Sequence, residues 1–314
     1  MQPLPFNIQS GQSANEIAAA LVDAGLLQDR ELFINYVRFH GLDSELEAGT
    51  YLVDPRSTVP ELAQTLTEAF AQEVEVRLLE GWRAEEMAQT VASLSGVQIS
   101  AVEFMQIVNR EQPFDLSAYS FASEIPDGAS LEGYLFPDTY RVPLDADAPY
   151  LLNLMLANFD RRVTSAMREA FAANGLTLHE AVTLASIVER ETPLPEERPM
   201  VAAVFYNRLA QDMPLQADPT VQYAVGRDLN SSSWWKSPLT RADLQLDSPY
   251  NTYLYPGLPP GPIANPGLAT LEAVAHPTPS NNLYFVADCN AATAGAHLFS
   301  ETYEQHLFKV EQCR

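Results

Sequence analysis

The sequence predicts an α+β protein with two unlike parts: N-terminal strand-helix-helix-strand repeats, then a mixed α/β domain with long loops rich in proline and glycine. The first prediction depends on an internal repeat, and the second on capped helical segments separated by proline- and glycine-dense loops. A stretch rich in Pro, Asp and Ala between Tyr140 and Tyr150 marks the boundary, so we expect domains over residues 1–149 and 150–314. With 314 residues, 46% of them hydrophobic, the chain is long enough for two or three buried cores.

The internal repeat joins Phe6–Ala18 to Val76–Ala88, which align without gaps and place Gly11 opposite Gly81. Each copy has the pattern of a short strand, a glycine turn and an amphipathic helix. A second helix and a closing strand are predicted in each copy, at Asp29–Phe39 and Ala48–Val53 in the first, and at Ser100–Asn109 and Leu131–Phe136 in the second. The predicted unit is therefore βααβ, present twice.

This order of elements resembles that of LysM modules, small domains that bind glycans containing N-acetylglucosamine. The resemblance implies that residues 1–149 form a LysM-like, glycan-binding region. The alternative is a spacer that holds the second half of the chain away from an anchor.

The second half opens with a predicted helix over Leu151–Asn174, ended by an Asn-Gly pair. Thr177 and Glu180 then form a capping-box pattern that starts another helix, which Pro193 stops. A further helix is predicted over about 198–209, and a strand over about 283–286, with loop-rich chain between them.

Glu189 lies near the end of the capped helix, on the apolar face that also carries Leu178, Val182 and Ala185. A carboxyl group aimed into apolar surroundings resists ionisation, so its pKa rises and it can act as an acid near neutral pH. The alternative is a helix-end carboxylate that reaches solvent or pairs with Arg190 or Arg198.

The composition excludes several classes of partner. The formal charge of −23 disfavours nucleic acid and anionic membrane surfaces. No apolar run of about 18 residues is present to span a membrane. The five histidines and two cysteines lack the spacing of a metal site, so we predict neither metal nor cofactor. Whether Cys289 and Cys313 form a disulfide is left open.

Six motifs occur in one order along the second half: Leu184-Ala-Ser-Ile-Val-Glu-Arg-Glu-Thr192, Val204-Phe-Tyr-Asn-Arg-Leu209, Leu215-Gln-Ala-Asp-Pro-Thr-Val221, Tyr250-Asn-Thr-Tyr253, Gly257-Leu-Pro-Pro-Gly-Pro-Ile263 and Ala275-His-Pro277. They closely resemble the successive motifs of the bacterial endolytic murein transglycosylases, the MltG or YceG-like family. The resemblance implies a lytic transglycosylase that cleaves nascent peptidoglycan strands internally, between N-acetylmuramic acid and N-acetylglucosamine. It would do so without water, leave 1,6-anhydro-muramyl ends and terminate strand elongation.

The same resemblance implies a location at the extracytoplasmic face of the bacterial cell membrane, with glycan strands as substrate and peptidoglycan synthases as a further class of partner. The family's N-terminal transmembrane helix has no counterpart in this sequence. Contact with a membrane is therefore expected only through an anchor that the sequence does not contain.

The resemblance places the catalytic glutamate at Glu189, which would protonate the glycosidic oxygen and then take the proton of the muramyl C6 hydroxyl. Candidates for holding the substrate and stabilising positive charge are Asn207, Gln216, Asn251 and Tyr253. Asp218 is expected to orient the site or to cap a turn. Two alternatives stay open: a hydrolase in which Asp218 or Glu191 activates water, and a non-catalytic glycan-binding scaffold.

Overall fold

The computed structural model describes residues 3–9, 11–67, 73–95, 97–228, 231 and 233–313, so Ser10 of the first repeat copy lies outside the described residues. Within these ranges the chain is a mixed α+β protein, as predicted. Its strands are β1 Leu4–Ile8, β2 Gly49–Val53, β3 Glu73–Arg77, β4 Thr139–Pro143, β5 Tyr284–Ala287 and β6 His297–Ser300. Its helices are α1 Ala14–Asp23, α2 Arg30–Phe39, α3 Val59–Thr67, α4 Ala84–Ala92, α5 Ala101–Val108, α6 Ala148–Arg162, α7 Ser165–Ala173, α8 Leu178–Glu191, α9 Arg198–Leu209, α10 Asp218–Val225, α11 Leu268–Ala275 and α12 Tyr303–Gln312.

The first compact unit contains the described residues of 1–76, 91–100 and 139–151. Its β1 and β2 pair antiparallel, with Phe6 opposite Tyr51, and both rings face the core. Ser13 and Glu16 form a capping box at the start of α1, and Asp29 caps α2. The βααβ order predicted for the first repeat copy is therefore confirmed. Its core is built by Phe6, Ile8, Ile17, Leu21, Phe33, Val37, Tyr51, Leu62 and Leu66.

The second repeat copy differs from its prediction at the closing strand. The partner of β3 is β4, and residues 131–136 form turns. Their backbone N–H groups are used elsewhere, since those of Gly133 and Leu135 donate to the side-chain oxygen of Asn265. This segment is buried on all sides, so the alternation typical of a half-exposed strand does not apply to it. The strand predicted over Leu131–Phe136 is wrong, and the predicted helix over Ser100–Asn109 is confirmed as α5.

The second compact unit contains the described residues of 77–90, 101–138 and 152–313. The single helix predicted over Leu151–Asn174 is wrong, because the chain forms α6 and α7 with a break at Val163 and Thr164. The Thr164 hydroxyl accepts the N–H of Met167 and caps α7. An internal threonine can therefore start a new helix within a continuous helical pattern.

Helix α8 is the central helix of this unit, with every residue from Leu178 to Val188 except Glu180 buried. It begins at the predicted capping box, in which Glu180 accepts the Thr177 N–H at 2.8 Å. It ends at Glu191, before Pro193. The predicted helix over about 198–209 is confirmed as α9, and the predicted strand over about 283–286 is β5, paired antiparallel with β6.

The sequence left open whether Cys289 and Cys313 are bonded to each other. Cys289 and Cys313 form a disulfide that ties the segment after β5 to the end of α12. None of the described helices is both long enough and apolar enough to cross a bilayer.

Candidate active site

The end of α8 carries two glutamates, Glu189 and Glu191, on different sides of the helix. Two residues along an α-helix turn the side chain by about 200°, so these carboxyl groups face different surroundings. Each belongs to a separate polar cluster, and the two clusters differ in the partners that they offer.

Glu189 is fully engaged by hydrogen bonds. Its carboxylate accepts from Arg198 Nη2 at 2.7 Å and from the Gly267 N–H at 3.0 Å. The Thr270 hydroxyl donates to it at 2.5 Å, and the side chain is only 5% exposed. The expectation that this carboxyl lies in apolar surroundings is wrong, because the start of α11 brings polar donors to the end of the apolar face. The structure contains the alternative instead, an ion pair between Glu189 and Arg198.

A second carboxylate shares the Arg198 guanidinium. Glu80 Oε2 lies 3.9 Å from Arg198 Nη1, and this side chain is half exposed. Burial, and next the charge of Glu189, raise the pKa of Glu80. Sequence analysis missed this residue, since nothing in the repeat pattern around Gly81 indicates that the turn meets the end of α8.

Glu191 lies on the wall of a cavity of about 290 Å³. Three of the predicted site residues, Gln216, Asp218 and Tyr253, line the same cavity. The structure therefore brings these three together with Glu191 and leaves Glu189 outside the group. The remaining lining residues are Arg208, Leu215, Phe285 and His306.

The Glu191 carboxyl makes no hydrogen bond or ion pair with any residue that the structure describes. Burial raises its pKa to about 8, and the negative charge of Asp218 acts in the same direction. The positive charge of Arg208 opposes this shift. A carboxyl group in this state carries its proton at neutral pH and can give it to a ligand in the cavity.

Asp218, at the start of α10, and Tyr253, from a separate loop, form a pair at the wall of the cavity. The Tyr253 hydroxyl donates to Asp218 Oδ1 at 2.6 Å. Burial, and next this hydrogen bond, raise the pKa of Tyr253, so its hydroxyl keeps its proton. The hydrogen bond from Tyr253 fixes the direction of the Asp218 carboxylate.

Two buried threonines, Thr220 and Thr252, hold the segments that carry Asp218 and Tyr253 in place. Thr252 and Thr220 meet through their hydroxyls at 2.8 Å, and the Ala217 N–H donates to the Thr252 hydroxyl at 3.1 Å. Gln216, which precedes Ala217, has a φ of 51°, a left-handed conformation uncommon for a residue other than glycine. Its backbone N–H donates to the Thr252 carbonyl at 3.1 Å. This hydrogen bond helps to hold the unfavourable conformation and so keeps Gln216 at the cavity wall.

Asn251 and Asn207, also predicted from the motifs, hold backbone segments in the structure. Asn251 is fully buried: its amide donates to the carbonyls of Leu244 and Leu246, and its oxygen accepts the Tyr253 N–H. Asn207 donates to the backbone after α11, at 2.8 and 2.9 Å, and lines a different cavity. Asn251 thus positions Tyr253 without lining the cavity itself.

Arg208 and His306 line the Glu191 cavity and were missed by sequence analysis. Arg208 is 8% exposed, and its Nε and Nη1 donate to the carbonyls of Leu283 and Leu215, both at 2.7 Å. It directly follows Asn207 in the second motif, and of these two neighbours only Arg208 lines the Glu191 cavity. His306 comes from α12, which the sequence pattern did not predict.

A larger cavity of about 680 Å³ is lined by His179 and by the loop of the Gly-Leu-Pro-Pro motif. Both ring nitrogens of His179 are occupied, Nδ1 by the Tyr134 hydroxyl at 2.9 Å and Nε2 by the Pro260 carbonyl at 3.0 Å. This histidine therefore fastens the motif loop to α8. Acid-base chemistry is better supported in the smaller cavity, which holds a carboxyl group with a raised pKa, Glu191.

One group of candidate metal ligands occurs within the described ranges, formed by Asp288, Cys289 and Cys313. Both sulfur atoms belong to the disulfide. They do not supply the thiolates that a metal would require.

Comparison with known proteins shows the family to which the chain belongs. The model of the YceG-like family matches residues 6–312, and the chain belongs to this family. The membership predicted from the six motifs is thereby confirmed, and with it the class of enzyme.

The relatives define the class more closely. The chain is 33% identical over 310 residues to the endolytic murein transglycosylase of Bacillus subtilis (strain 168), covering 96% of this chain and 82% of the relative. It is 32% identical over 316 residues to the endolytic murein transglycosylase of Streptococcus pneumoniae serotype 2, covering 95% of this chain and 56% of that protein. The crystal structure of a yceG-like protein from Listeria monocytogenes matches with a TM-score of 0.63 and 30% identity, over 98% of both chains.

Proposed function

We propose that this protein is an endolytic lytic transglycosylase that cleaves peptidoglycan between N-acetylmuramic acid and N-acetylglucosamine, with Glu191 as its acid and base. The observation that carries the proposal is the Glu191 carboxyl, unpaired within the described residues and facing a cavity that holds Gln216, Asp218 and Tyr253. The names of the relatives support the substrate.

In the first step, protonated Glu191 gives its proton to the glycosidic oxygen, and the bond from that oxygen to C1 of the muramyl residue breaks. In the second step, the Glu191 carboxylate takes the proton of the muramyl C6 hydroxyl while the C6 oxygen bonds to C1. Glu191 is protonated again at the end of the second step, and the product is a 1,6-anhydro end. No water is consumed, so one carboxyl suffices where a hydrolase needs two.

The neighbours of Glu191 suit these two steps. Asp218 helps to keep the acid protonated before the reaction, and Arg208 stabilises the carboxylate formed once the proton has left. The Asp218 carboxylate, held by Tyr253, also supplies negative charge near the developing positive charge at C1. Gln216 offers an amide to the substituents of the sugar.

The assignment of Glu189 as the catalytic residue stays a rival prediction, and a pair of isosteric variants separates the two. Glu191→Gln is expected to lower the rate of murein solubilisation by about a hundredfold to ten-thousandfold, the range of general acid catalysis. Glu189→Gln retains hydrogen bonds to Gly267 and Thr270 but loses the ion pair with Arg198. It is expected to lower the melting temperature and to keep activity within about tenfold of the parent.

Mass spectrometry of the products tests the reaction type. Anhydro-muramyl ends support transglycosylation, whereas reducing ends would support the hydrolase alternative, in which Asp218 activates water. A parent protein that binds murein without cleaving it would support the scaffold alternative. Loss of activity in Glu189→Gln but not in Glu191→Gln would return the catalytic role to Glu189.

We also propose that the protein acts on murein at the extracytoplasmic face of the cell membrane, as the class of the relatives suggests. Synthases as partners stay a prediction from the resemblance. The LysM-like assignment of residues 1–149 is supported by the β1–α1–α2–β2 order and antiparallel pairing of the first repeat copy. Glycan binding by this region remains a prediction, with the spacer as its alternative.

A further inference from the structure

Three aromatic rings pack against one another beside the Glu191 cavity. Tyr284 on β5 stacks on His306 of α12, with ring centroids 5.3 Å apart and planes at 24°. Tyr303 of α12 lies 5.8 Å from Tyr284 and 6.3 Å from His306. We call Tyr284, Tyr303 and His306 the aromatic shelf.

The aromatic shelf runs from the cavity to solvent. His306 lines the cavity at the inner edge of the shelf, and the guanidinium of Arg208, another lining residue, lies 5.4 Å from the Tyr284 ring centroid. Tyr303, at the outer edge, is 59% exposed. A ligand that fills the cavity and extends toward Tyr303 would pass over these rings.

Unused polar groups lie at the inner edge of the shelf. His306 Nδ1 is buried and has no hydrogen-bond partner. Arg208 is anchored through Nε and Nη1, while its Nη2 makes no hydrogen bond in the part of the chain that the structure describes. Burial, and next the charges of Arg208 and Lys309, lower the pKa of His306, so the imidazole is neutral at pH 7 and can donate or accept.

A sugar ring fits this combination. Pyranose rings have an apolar C–H face that packs on aromatic rings, and an acetamido group offers a carbonyl to donors such as Arg208. A nucleic acid is disfavoured by the net charge of −23. We propose that the aromatic shelf is a subsite for one N-acetylated amino-sugar ring, the neighbour of the ring held at Glu191. This proposal rests on the proposed function, because it assumes that a glycan strand occupies the cavity.

Binding measured without turnover tests the subsite. In the full chain carrying Glu191→Gln, we would measure the Kd of chitotetraose, a chain of four N-acetylglucosamine units, and of purified glycan strands freed of peptide, by titration calorimetry. Adding Tyr303→Ala is expected to weaken both by about tenfold, a difference of about 1.4 kcal/mol. The variant removes an exposed side chain, so the fold is expected to persist, which circular dichroism checks.

Phe308→Ala is the matched control. Phe308 is 62% exposed on the same helix, about 140° around it from Tyr303, and makes no ring contact with the shelf in the described residues. Its loss is expected to change Kd by less than about twofold. Equal weakening by both variants, or no weakening by Tyr303→Ala, would overturn the subsite. So would a concentration-dependent dimer that Tyr303→Ala abolishes, since the shelf would then bind a second copy.

The outcome separates the subsite from the catalytic proposal. If the parent releases reducing ends while Tyr303→Ala still weakens binding, the subsite stands and transglycosylation fails. If anhydro ends form but Tyr303→Ala binds as tightly as its background, the reaction stands and the subsite fails.

Discussion

At the scale of single residues, the partners of a carboxyl group decide its chemistry more than its position on a helix face. Glu189 has three hydrogen-bond donors, one of them the arginine with which it forms an ion pair, whereas Glu191, two residues later, has none among the described residues. An engaged carboxylate must lose several hydrogen bonds before it can transfer a proton. Glu191 can transfer one directly, which favours it as the acid.

The raised pKa of Glu191 predicts an alkaline limit to activity. The first step needs the protonated carboxyl, so kcat/KM should fall as the pH rises through about 8. Initial rates of fragment release between pH 6 and 10 measure this limb. Asp218→Asn removes a charge that raises the pKa of Glu191, so the limb should move to lower pH. A rate that stays constant to pH 9.5 would contradict the assignment.

Glu132 shows the same shift in a structural setting. This carboxyl is 3% exposed and accepts hydrogen bonds from the Ala84 N–H and the Asn265 amide. Burial, and next the charge of Glu85, raise its pKa from 4.5 to about 8. The folded state therefore holds a proton that the unfolded state releases. This contribution to stability is complete below about pH 4.5 and is lost as the pH rises through about 8.

Glu132→Gln removes that linkage and should flatten the dependence of stability on pH. We expect the free energy of unfolding of the variant to increase relative to that of the parent between pH 5 and 9, by on the order of a few kcal/mol. Urea unfolding across this range provides the measurement. Asp243→Asn is a control at a carboxyl whose pKa is lowered to about 2 by its hydrogen bonds, chiefly from Lys236, because it does not titrate there. Parallel curves for parent and Glu132→Gln would refute the prediction.

At the scale of elements, close approach of backbone segments explains the turn that replaced a predicted strand. Gly133 has a φ of +88°, and a Cβ there would lie 2.5 Å from Pro262 and 2.8 Å from Val182. Only glycine allows the motif loop and α8 to meet this turn. The tight packing supports the segment that carries Glu132.

Gly133→Ala is expected to lower the free energy of unfolding by about 3 kcal/mol or more, because the new methyl group clashes with packed side chains. Gly128→Ala is the matched control: its φ is +78°, but nothing lies within 4 Å of the new Cβ. It should cost only about 1–2 kcal/mol from backbone strain. Similar losses in both variants, measured by urea unfolding, would show that backbone conformation and not packing requires Gly133.

The disulfide between Cys289 and Cys313 holds the helix that carries His306. The bridged residues are 24 apart, and a loop of this length stabilises the fold by about 3 kcal/mol. Replacing both cysteines by serine should lower the melting temperature and weaken glycan binding, because α12 supplies two residues of the shelf. Reducing agent should reproduce these changes in the parent and have no effect on the double variant. An unchanged melting temperature would contradict this prediction.

Helix starts were predictable where a short side chain caps them within a few residues, as Thr177 and Glu180 do for α8. Local periodicity failed at Thr164, where one cap divides a continuous pattern. It also failed at residues 131–136, where the hydrogen-bond partner, Asn265, lies far along the chain. Pairings over such separations leave no local signal.

At the scale of the whole molecule, the compact units are not contiguous in sequence. The described residues of 77–90 and 101–138, part of the second repeat copy, belong to the unit that contains α8. The boundary predicted near residue 150 marks a change in composition, and it stays a prediction about sequence domains. Composition identifies a stretch that resembles a linker, but contacts between distant segments decide which parts of the chain pack together.

The sequence alone determined the family, the class of enzyme and most helices, because these depend on local caps, periodicity and ordered motifs. It also predicted Gln216, Asp218 and Tyr253, which the structure gathers around one cavity. Only the tertiary structure decided which carboxyl at the end of α8 is paired and which is unpaired, and that Arg208 and His306 join the site. Periodicity orients a side chain relative to its own helix, whereas its partners come from α9, α11, α12 and distant loops.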